Sequence, residues 1–461
     1  MTTTTPRITF HGGIGTIGGT KIIVQEGDYR VLFDFGATYA PGGDFWGGRL
    51  QSRHGSARLR DMVTLGYTPA LDGVYQPAYA ATAGLKPGEG DTTQVFISHL
   101  HLDHMALVDL IADEVPVWMH EDSLRLFQAV ATTGEKPPVP VGARAFTWGQ
   151  PIQVGPIKVT PVAVDHDVPG ASALLIETSA GTVVYSGDLR THGPHPALVE
   201  EFVKAARATN PKVLLIEGTR MGEVGAEPNP DRAPSLKENE VPGRVLEHLQ
   251  ECTGLALITL YPRNPLRIAN IAEALPQVGR TMVLSPEMAH VYQTMGYSLE
   301  HVAVYLRAKD KQAMQHGKCE SWLRTLLASG VTTVDAAAVR SEQTKYLLQL
   351  FYWDMAELVD LQPVPGSIFV HSNGEPLGRF DPAFELFVHW LDHFGIALKW
   401  APSTGHATPD ALFEIIRGIN PAVLMPIHSF YPERMEVEGI RRVLPELGAT
   451  YDIATGEKIK G

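Results

Sequence analysis

Cysteine is nearly missing from this chain: Cys252 and Cys319 are the two among 461 residues. A disulfide framework is excluded on that count, and a reducing, cytoplasmic setting is the simplest expectation. Long apolar runs are missing as well. None reaches the ~20 residues that span a bilayer, so no membrane partner is expected. The start, Met1-Thr2-Thr3-Thr4-Thr5-Pro6, lacks the basic and apolar regions of a secretory signal. Positive charge is scarce: 38 Lys and Arg stand against 51 Asp and Glu, for a formal net charge of −13. That balance excludes a chain-wide basic face of the kind nucleic-acid binders carry, and leaves room only for a local positive cleft. No internal repeat of solenoid period is present. What remains, 44% hydrophobic and 19% charged residues, describes a globular protein too long for one ordinary core. Two or three domains are expected.

Histidine, by contrast, is abundant and ordered. Ser98-His99-Leu100-His101-Leu102-Asp103-His104 packs four metal-ligand side chains into seven residues, in the pattern H-x-H-x-D-H. It follows the apolar run Gln94-Val95-Phe96-Ile97, which reads as a buried strand. In extended backbone His99 and His101 point the same way, and Asp103 and His104 can reach a second ion beside the first. Imidazole suits zinc, and a carboxylate can bridge or take a harder ion. Three more apolar runs end in a ligand: Val162–His166, Thr182–Asp188 and Val423–His428. Each places it at the carboxyl end of a strand, where α/β folds keep their chemistry. His54, His120 and His316 lie outside these patterns and are assigned no role.

This ordered set resembles the metallo-β-lactamase superfamily, with Asp34 in Phe33-Asp34-Phe35-Gly36 as its first element. The resemblance implies an αββα sandwich in which His99, His101 and His166 hold one metal and Asp103 and His104 the other. Asp188 would bridge the two, and Asp34 would brace the metal loop as structural support. A narrower resemblance covers nearly the whole chain. Glu217 in Leu214–Arg220, His406 in Ala401-Pro402-Ser403-Thr404-Gly405-His406, and His428 look like the three added motifs of the β-CASP nucleases. His428 would complete the second metal's shell, and Glu217 would orient His406 over the scissile phosphate. Val370-His371-Ser372-Asn373-Gly374-Glu375-Pro376 is similar to the S-Q-G-E-P element of bacterial ribonuclease J, with Asn373 where that family has glutamine. The likeness implies a 5′-phosphate pocket built from Ser372, Asn373, Gly374 and Glu375, faced by Ser403, Thr404 and Gly405.

The chain's organisation fits an inserted domain. Residues 7–35 read as strands around a glycine-rich turn. That turn, Gly13-Ile14-Gly15-Thr16-Ile17-Gly18, matches G-x-G-x-x-G, but the β-branched Thr20–Val24 follows it. A dinucleotide site needs a helix there, so the nucleotide reading is rejected. Residues 36–92 read as a long loop near the mouth of the site, and Leu124, Phe127 and Val130 as a helical core stripe. Glu223–Pro242 reads as a polar linker. Beyond it, helices are expected at 245–249, 267–275, 323–328, 345–350 and 383–394, and strands at 255–260, 367–370 and 397–400. That alternation predicts a parallel α/β domain. The boundaries so drawn are 1–220 and 401–461 for the sandwich and 221–400 for the insertion, with substrate in the cleft between them. Arg190, Arg220, Arg263, Arg267 and Arg379 are candidates to line it.

The function expected is hydrolysis of phosphodiester bonds by a metal-bound hydroxide, with Asp103, His406 and Glu217 as catalytic residues. Two divalent ions are implied, zinc favoured over manganese. The substrate implied is nucleic acid, single-stranded RNA ahead of DNA, attacked from the 5′ end or internally. A hydrolase of a cyclic nucleotide, thioester or lactone is the competing enzyme reading, and a metal-free scaffold the non-enzymatic one. A homodimer is the oligomer implied. Ribonuclease J, however, usually carries a further C-terminal domain that helps it oligomerise, and little chain follows His428 here.

Overall fold

The protein is described from a computed structural model that covers residues 5–38, 53–225 and 235–459. The chain divides into two compact units. Met1–Phe127, Lys136–Pro228 and Gly405–Gly461 form the first, and Gln128–Glu135 with Asn229–Thr404 form the second.

The first unit holds two seven-stranded sheets. One runs in the order Thr450–Asp452, Arg7–Gly12, Lys21–Glu26, Tyr29–Phe33, Thr93–Phe96, Val117–His120, Ala143–Phe146. The other runs Arg441–Arg442, Val423–Ile427, Val213–Glu217, Gly181–Tyr185, Ser172–Thr178, Ile157–Ala163, Ile152–Val154. Alternation sets the sandwich. Ile8, Phe10, Ile22, Val24, Val31 and Phe33 share one buried cluster with Leu174, Ile176, Val183, Tyr185, Val213 and Leu215. The intervening positions Ala173, Leu175, Val184 and Leu214 turn the other way. They pack with Phe202 of helix Pro196–Ala208 and with Leu412, Ile415 and Ile416 of helix Pro409–Ile419. Val183–Tyr185, Val213–Glu217 and Val423–Ile427 run parallel. Asp188, Glu217 and His428 therefore gather at one end of the sheet.

The second unit is a parallel seven-stranded sheet in the order Thr332–Val334, Val302–Tyr305, Thr281–Leu284, Tyr346–Gln349, Ala256–Leu260, Ile368–Ser372, Ala397–Trp400. Both faces are covered by buried clusters, which explains its unbroken apolar strands. Taken together the fold is α/β, a metallo-β-lactamase sandwich with a second α/β unit inserted before its last strands.

Three expectations change here. Residues 345–350 form a strand, Tyr346–Gln349, not a helix. Leu347 and Leu348 are wholly buried on opposite faces of the sheet, and that pairing overrides their helix propensity. The 36–92 stretch is not all loop: helices Ala57–Thr64 and Pro77–Ala83 lie in it, and residues 39–52 fall outside the described residues. The 223–242 stretch is not simply a polar linker, since Glu238 is buried and paired with Arg267 at 2.6 Å. Its residues 226–234 fall outside the described residues. No helix among the described residues is long and apolar enough to cross a membrane.

Candidate metal centre

Asp34 sits at the root of the site. It follows the strand Tyr29–Phe33 at a positive φ of 58° and is fully buried. Its Oδ1 accepts from the Ser98 backbone N–H at 2.7 Å, and its Oδ2 from Ser98 Oγ at 2.9 Å. Oδ2 also meets His104 Nδ1 at 2.7 Å and the Tyr185 hydroxyl. The carboxylate thus fixes the loop that opens the H-x-H-x-D-H run. It also pins the His104 ring so that Nε2 faces inward, as outer partners of metal-binding imidazoles do.

Other histidines are anchored in the same way. His99 Nδ1 contacts Ser98 Oγ at 3.0 Å, and His166 Nδ1 contacts the Gly405 carbonyl at 2.6 Å. The remaining nitrogens converge on Asp188. Its Oδ2 lies 3.2 Å from His104 Nε2, and 3.7 Å from both His99 Nε2 and His428 Nε2. His101 Nδ1 stands 3.2 Å from His166 Nε2. His428 Nε2 is 3.5 Å from Asp103 Oδ2. The side chains fall into two sets able to hold an ion: His99, His101, His166 and Asp188, and Asp103, His104 and His428.

A structural observation favours metal over a simple polar cluster. His99 Nε2, His104 Nε2, His428 Nε2 and Asp188 Oδ2 are buried and make no hydrogen bond to any described residue. Leaving such atoms unmet costs ~1–3 kcal/mol each, and more for charged groups. Divalent cations would satisfy all four at once, so the donor set fits the group the fold implies. Access is one-sided. His101, Asp103 and His406 keep 17%, 20% and 18% of their side chains exposed, while the other ligands keep at most 2%.

Beside the cluster lies an acid–base pair. His406 Nδ1 is 3.1 Å from Glu217 Oε1 and 3.8 Å from Asp188 Oδ2. Glu217 is itself fixed at Oε2 by the Thr219 N–H at 2.9 Å. Burial works against a charged His406. The charge and hydrogen bond of Glu217, with Asp188 and Asp167 behind them, outweigh it and push the imidazole up to about 9. His166 goes the other way, down to about 3, mainly through burial. Two neighbouring imidazoles are thereby driven apart, one towards a proton carrier and one towards a neutral ligand.

The glycine turn, free of nucleotide duty, supports the second ligand set. His428 at φ 51° donates its N–H to the Gly13 carbonyl at 2.7 Å, and the Gly19 N–H donates to the Asp103 carbonyl at 2.9 Å. Gly36 closes the other side: a Cβ there would lie 1.7 Å from the Asp103 carbonyl oxygen. Lys21 ties the two glycine segments together, donating to the Gly36 carbonyl at 2.6 Å and the Gly19 carbonyl at 3.1 Å.

Asp167 was missed in the sequence. Its Oδ1 lies 3.2 Å from His101 Nε2 and 3.3 Å from His166 Nε2; its place next to His166 was the available signal. Gly405 belongs with the first unit, where a Cβ would meet His166 Cε1 at 2.6 Å. Ser372, Asn373, Gly374, Glu375, Ser403 and Thr404 belong to the second unit. There the Asn373 carboxamide oxygen takes the Ser403 N–H at 2.8 Å and Arg267 Nη1 at 2.8 Å. Ser372 Oγ donates to the Ala401 carbonyl at 2.9 Å. Three arginines expected to line a cleft are instead buried cross-links. Arg190 binds Asp165 at 3.2 Å, Arg263 binds Glu135, and Arg267 binds Glu238. A guanidinium fork buried this deeply needs a carboxylate, and each has one. Arg220 pairs with Glu223 at 2.8 Å, and Arg379 is exposed.

A sandwich of two sheets with this His/Asp cluster at one end defines a class, and comparison with known proteins agrees. Residues 69–228 match the family model described as a Beta-lactamase superfamily domain. That stretch, about a third of the chain, holds the H-x-H-x-D-H run, His166 and Asp188, and it is similar to that superfamily's domain. The chain is also similar to ribonuclease J. That of Sinorhizobium meliloti is 29% identical over 195 residues, covering 41% of this chain and 33% of the relative. That of Mycolicibacterium smegmatis is 22% identical over 443 residues, covering 92% of this chain and 68% of the relative. The matched region of the first relative is thus about a third of its length. A crystal structure of a protein of unknown function from Enterococcus faecalis V583 is 28% identical, with a TM-score of 0.79 over 97% of this chain and 99% of that one.

Proposed function

We propose that the protein is a metal-dependent nuclease that hydrolyses phosphodiester bonds of RNA. The observation that carries this reading is the Glu217–His406 pair, set 3.8 Å from the carboxylate at the centre of the ligand cluster. A hydrolase of a small thioester or lactone has no need of it. The similarity to ribonuclease J supports the same choice of substrate.

In this reading His99, His101, His166 and Asp188 would hold one divalent ion, and Asp103, His104, Asp188 and His428 the other. Zinc is favoured by the imidazole-rich set. Bound there, the ions would supply charge neutralisation at the phosphate and a water acidic enough to attack at neutral pH. The chain's own groups do the rest. Asp103, on the exposed side, orients the attacking water. His406 carries a proton at Nε2 for the leaving 3′-oxygen, because Nδ1 is committed to Glu217. Glu217 keeps that imidazole charged and aimed, a positioning role. Asp34 holds His104 and the loop through Ser98. The two free, buried cysteines suit a reducing, cytoplasmic setting.

Attack from the 5′ end is the finer part of the proposal. It rests on the Ser372–Glu375 loop facing Ser403 and Thr404, where the buried Ser403 Oγ makes no hydrogen bond to a described residue and is suited to a terminal phosphate. The experiment is a cleavage assay on one labelled oligonucleotide as RNA and as DNA, bearing a 5′-hydroxyl, 5′-monophosphate or 5′-triphosphate. Metal-dependent mononucleotide release, fastest from 5′-monophosphorylated RNA, is expected. Cutting of neither polymer would overturn the nuclease reading. Equal rates on all three ends would overturn the 5′-end reading alone.

A further inference from the structure

The second unit holds a second set of unmet buried donors, remote in sequence from every metal ligand. Its middle strand, Tyr346–Gln349, lies between Ala256–Leu260 and Thr281–Leu284. Leu347 packs into the cluster that contains helices Pro265–Ala274 and Pro286–Thr294, and Leu348 into the opposite one. Alternation therefore turns Gln349 towards those two helices, at the strand's carboxyl end. Gln349 is 2% exposed. Its Oε1 accepts the N–H of Ser285 at 3.1 Å, and Ser285 is the residue that caps helix Pro286–Thr294. Its Nε2 makes no hydrogen bond to any described residue. Helix Pro265–Ala274, which packs against its neighbour, repeats the pattern. Its cap, Asn264, is 5% exposed and accepts the Arg267 N–H at Oδ1 at 3.1 Å. Asn264 Nδ2 is likewise without a described partner.

Each carboxamide orientation is fixed, because each oxygen is held by a backbone N–H. Both NH2 groups are thus buried donors at helix N-termini. An unmet buried donor costs ~1–3 kcal/mol, and each N-terminus adds about half a positive charge. Donors and dipoles alike call for an acceptor-rich, negatively charged group. Glu287, in the first turn of the second helix, does not meet either NH2 group: its Oε1 is drawn to Arg307, and its buried Oε2 makes no hydrogen bond to a described residue. The carboxyl edge of an open parallel sheet is also where such folds bind ligands.

We propose that Asn264 and Gln349 form an oxyanion site for a phosphoryl group, built on residues that are neither metal ligands nor members of the Ser372 and Ser403 loops, to which Arg267 of the Asn264-capped helix is bonded. Those loops follow strands on the far side of Ala256–Leu260. The phosphoryl group could come from free phosphate or a monoester, or from the backbone of a bound strand.

Calorimetric titration of the purified protein with inorganic phosphate tests this. Wild type should bind, and His166→Ala, which disturbs the metal centre, should retain the binding event. Asn264→Asp keeps the helix cap but replaces the donor with a negative oxygen. Gln349→Met removes the other donor at similar volume. Each should weaken phosphate binding at least tenfold, with the thermal midpoint and metal content of Asn264→Asp unchanged. Competition by an oligonucleotide without terminal phosphates would assign the site to a strand backbone, and absence of competition to a free phosphate or monoester. Either result supports the site. Phosphate binding that is unchanged in both variants, or lost entirely in His166→Ala, would overturn it. The result does not depend on nuclease activity.

Discussion

Two buried polar networks in this protein differ in what they leave unfinished. Around Arg267, in the second unit, every strong donor of the guanidinium is used. Nε and Nη2 reach Glu238 at 2.7 and 2.6 Å, and Nη1 and Nη2 reach Asn373 and the Ser403 carbonyl at 2.8 and 2.9 Å. Around Asp188, in the first unit, four buried nitrogens and oxygens of opposite character face each other with no bond made. The first network is complete in itself, as a cross-link between loops must be. The second is completed only by something brought in. Burial and charge alone do not separate architecture from chemistry; satisfaction of hydrogen bonds does.

Breaking the unfinished network should have the largest effect. His101→Ala or Asp188→Ala is expected to lose metal and nuclease activity together. Elemental analysis beside an RNA cleavage assay checks this, and full metal content in either variant would contradict the ligand assignment. Next comes His406→Ala, which should keep its metals and fold but lose a roughly 10²–10⁴-fold catalytic factor, the usual worth of a positioned acid. The completed network should respond in stability instead. Arg267→Met leaves Glu238 buried without its partner, at a cost of about 3–5 kcal/mol. Denaturant unfolding should show that loss while the folded protein keeps its metal content.

The last effect is read as a slope per pH unit and concerns Lys21, a cross-link of intermediate kind. It is buried, bonded to two carbonyls, and lowered by burial to about 7. Between about 7 and 10.5 the unfolded chain holds this proton and the folded one does not. Stability should therefore rise with pH across that window, by up to about 1.4 kcal/mol per unit. Lys21→Met should flatten the slope, which chemical denaturation at pH 7 to 10 would reveal.

Much of this was readable in advance, for identifiable reasons. Ligands at strand ends announce themselves because a strand fixes direction, and five of the seven metal-ligand side chains lie between His99 and His166 inclusive. Asp34 was legible only through resemblance, since its work is done by partners 64 to 151 positions away. Leu347 and Leu348 misled because their neighbours are good helix formers; only the two flanking strands make that segment extended. Arg263 and Arg267 misled because a sequence shows where charge is, not whether Glu135 and Glu238 have already met it. Asp167 passed unremarked beside a stronger signal.

The contact between His428 and Gly13 has a consequence for the order of synthesis. The turn after the first strand and the last ligand are separated by nearly the whole chain, and the inserted unit accounts for most of the wait between Asp188 and His428. At ~5–20 residues per second a ribosome needs tens of seconds to cross that interval. Throughout it the emerging chain has its first-strand turn, H-x-H-x-D-H loop and Asp188 but lacks the residue that closes the second ligand set, and for most of it lacks His406 as well. Under the function proposed above, ribosome-bound chains stalled before residue 428 are expected to leave RNA uncut.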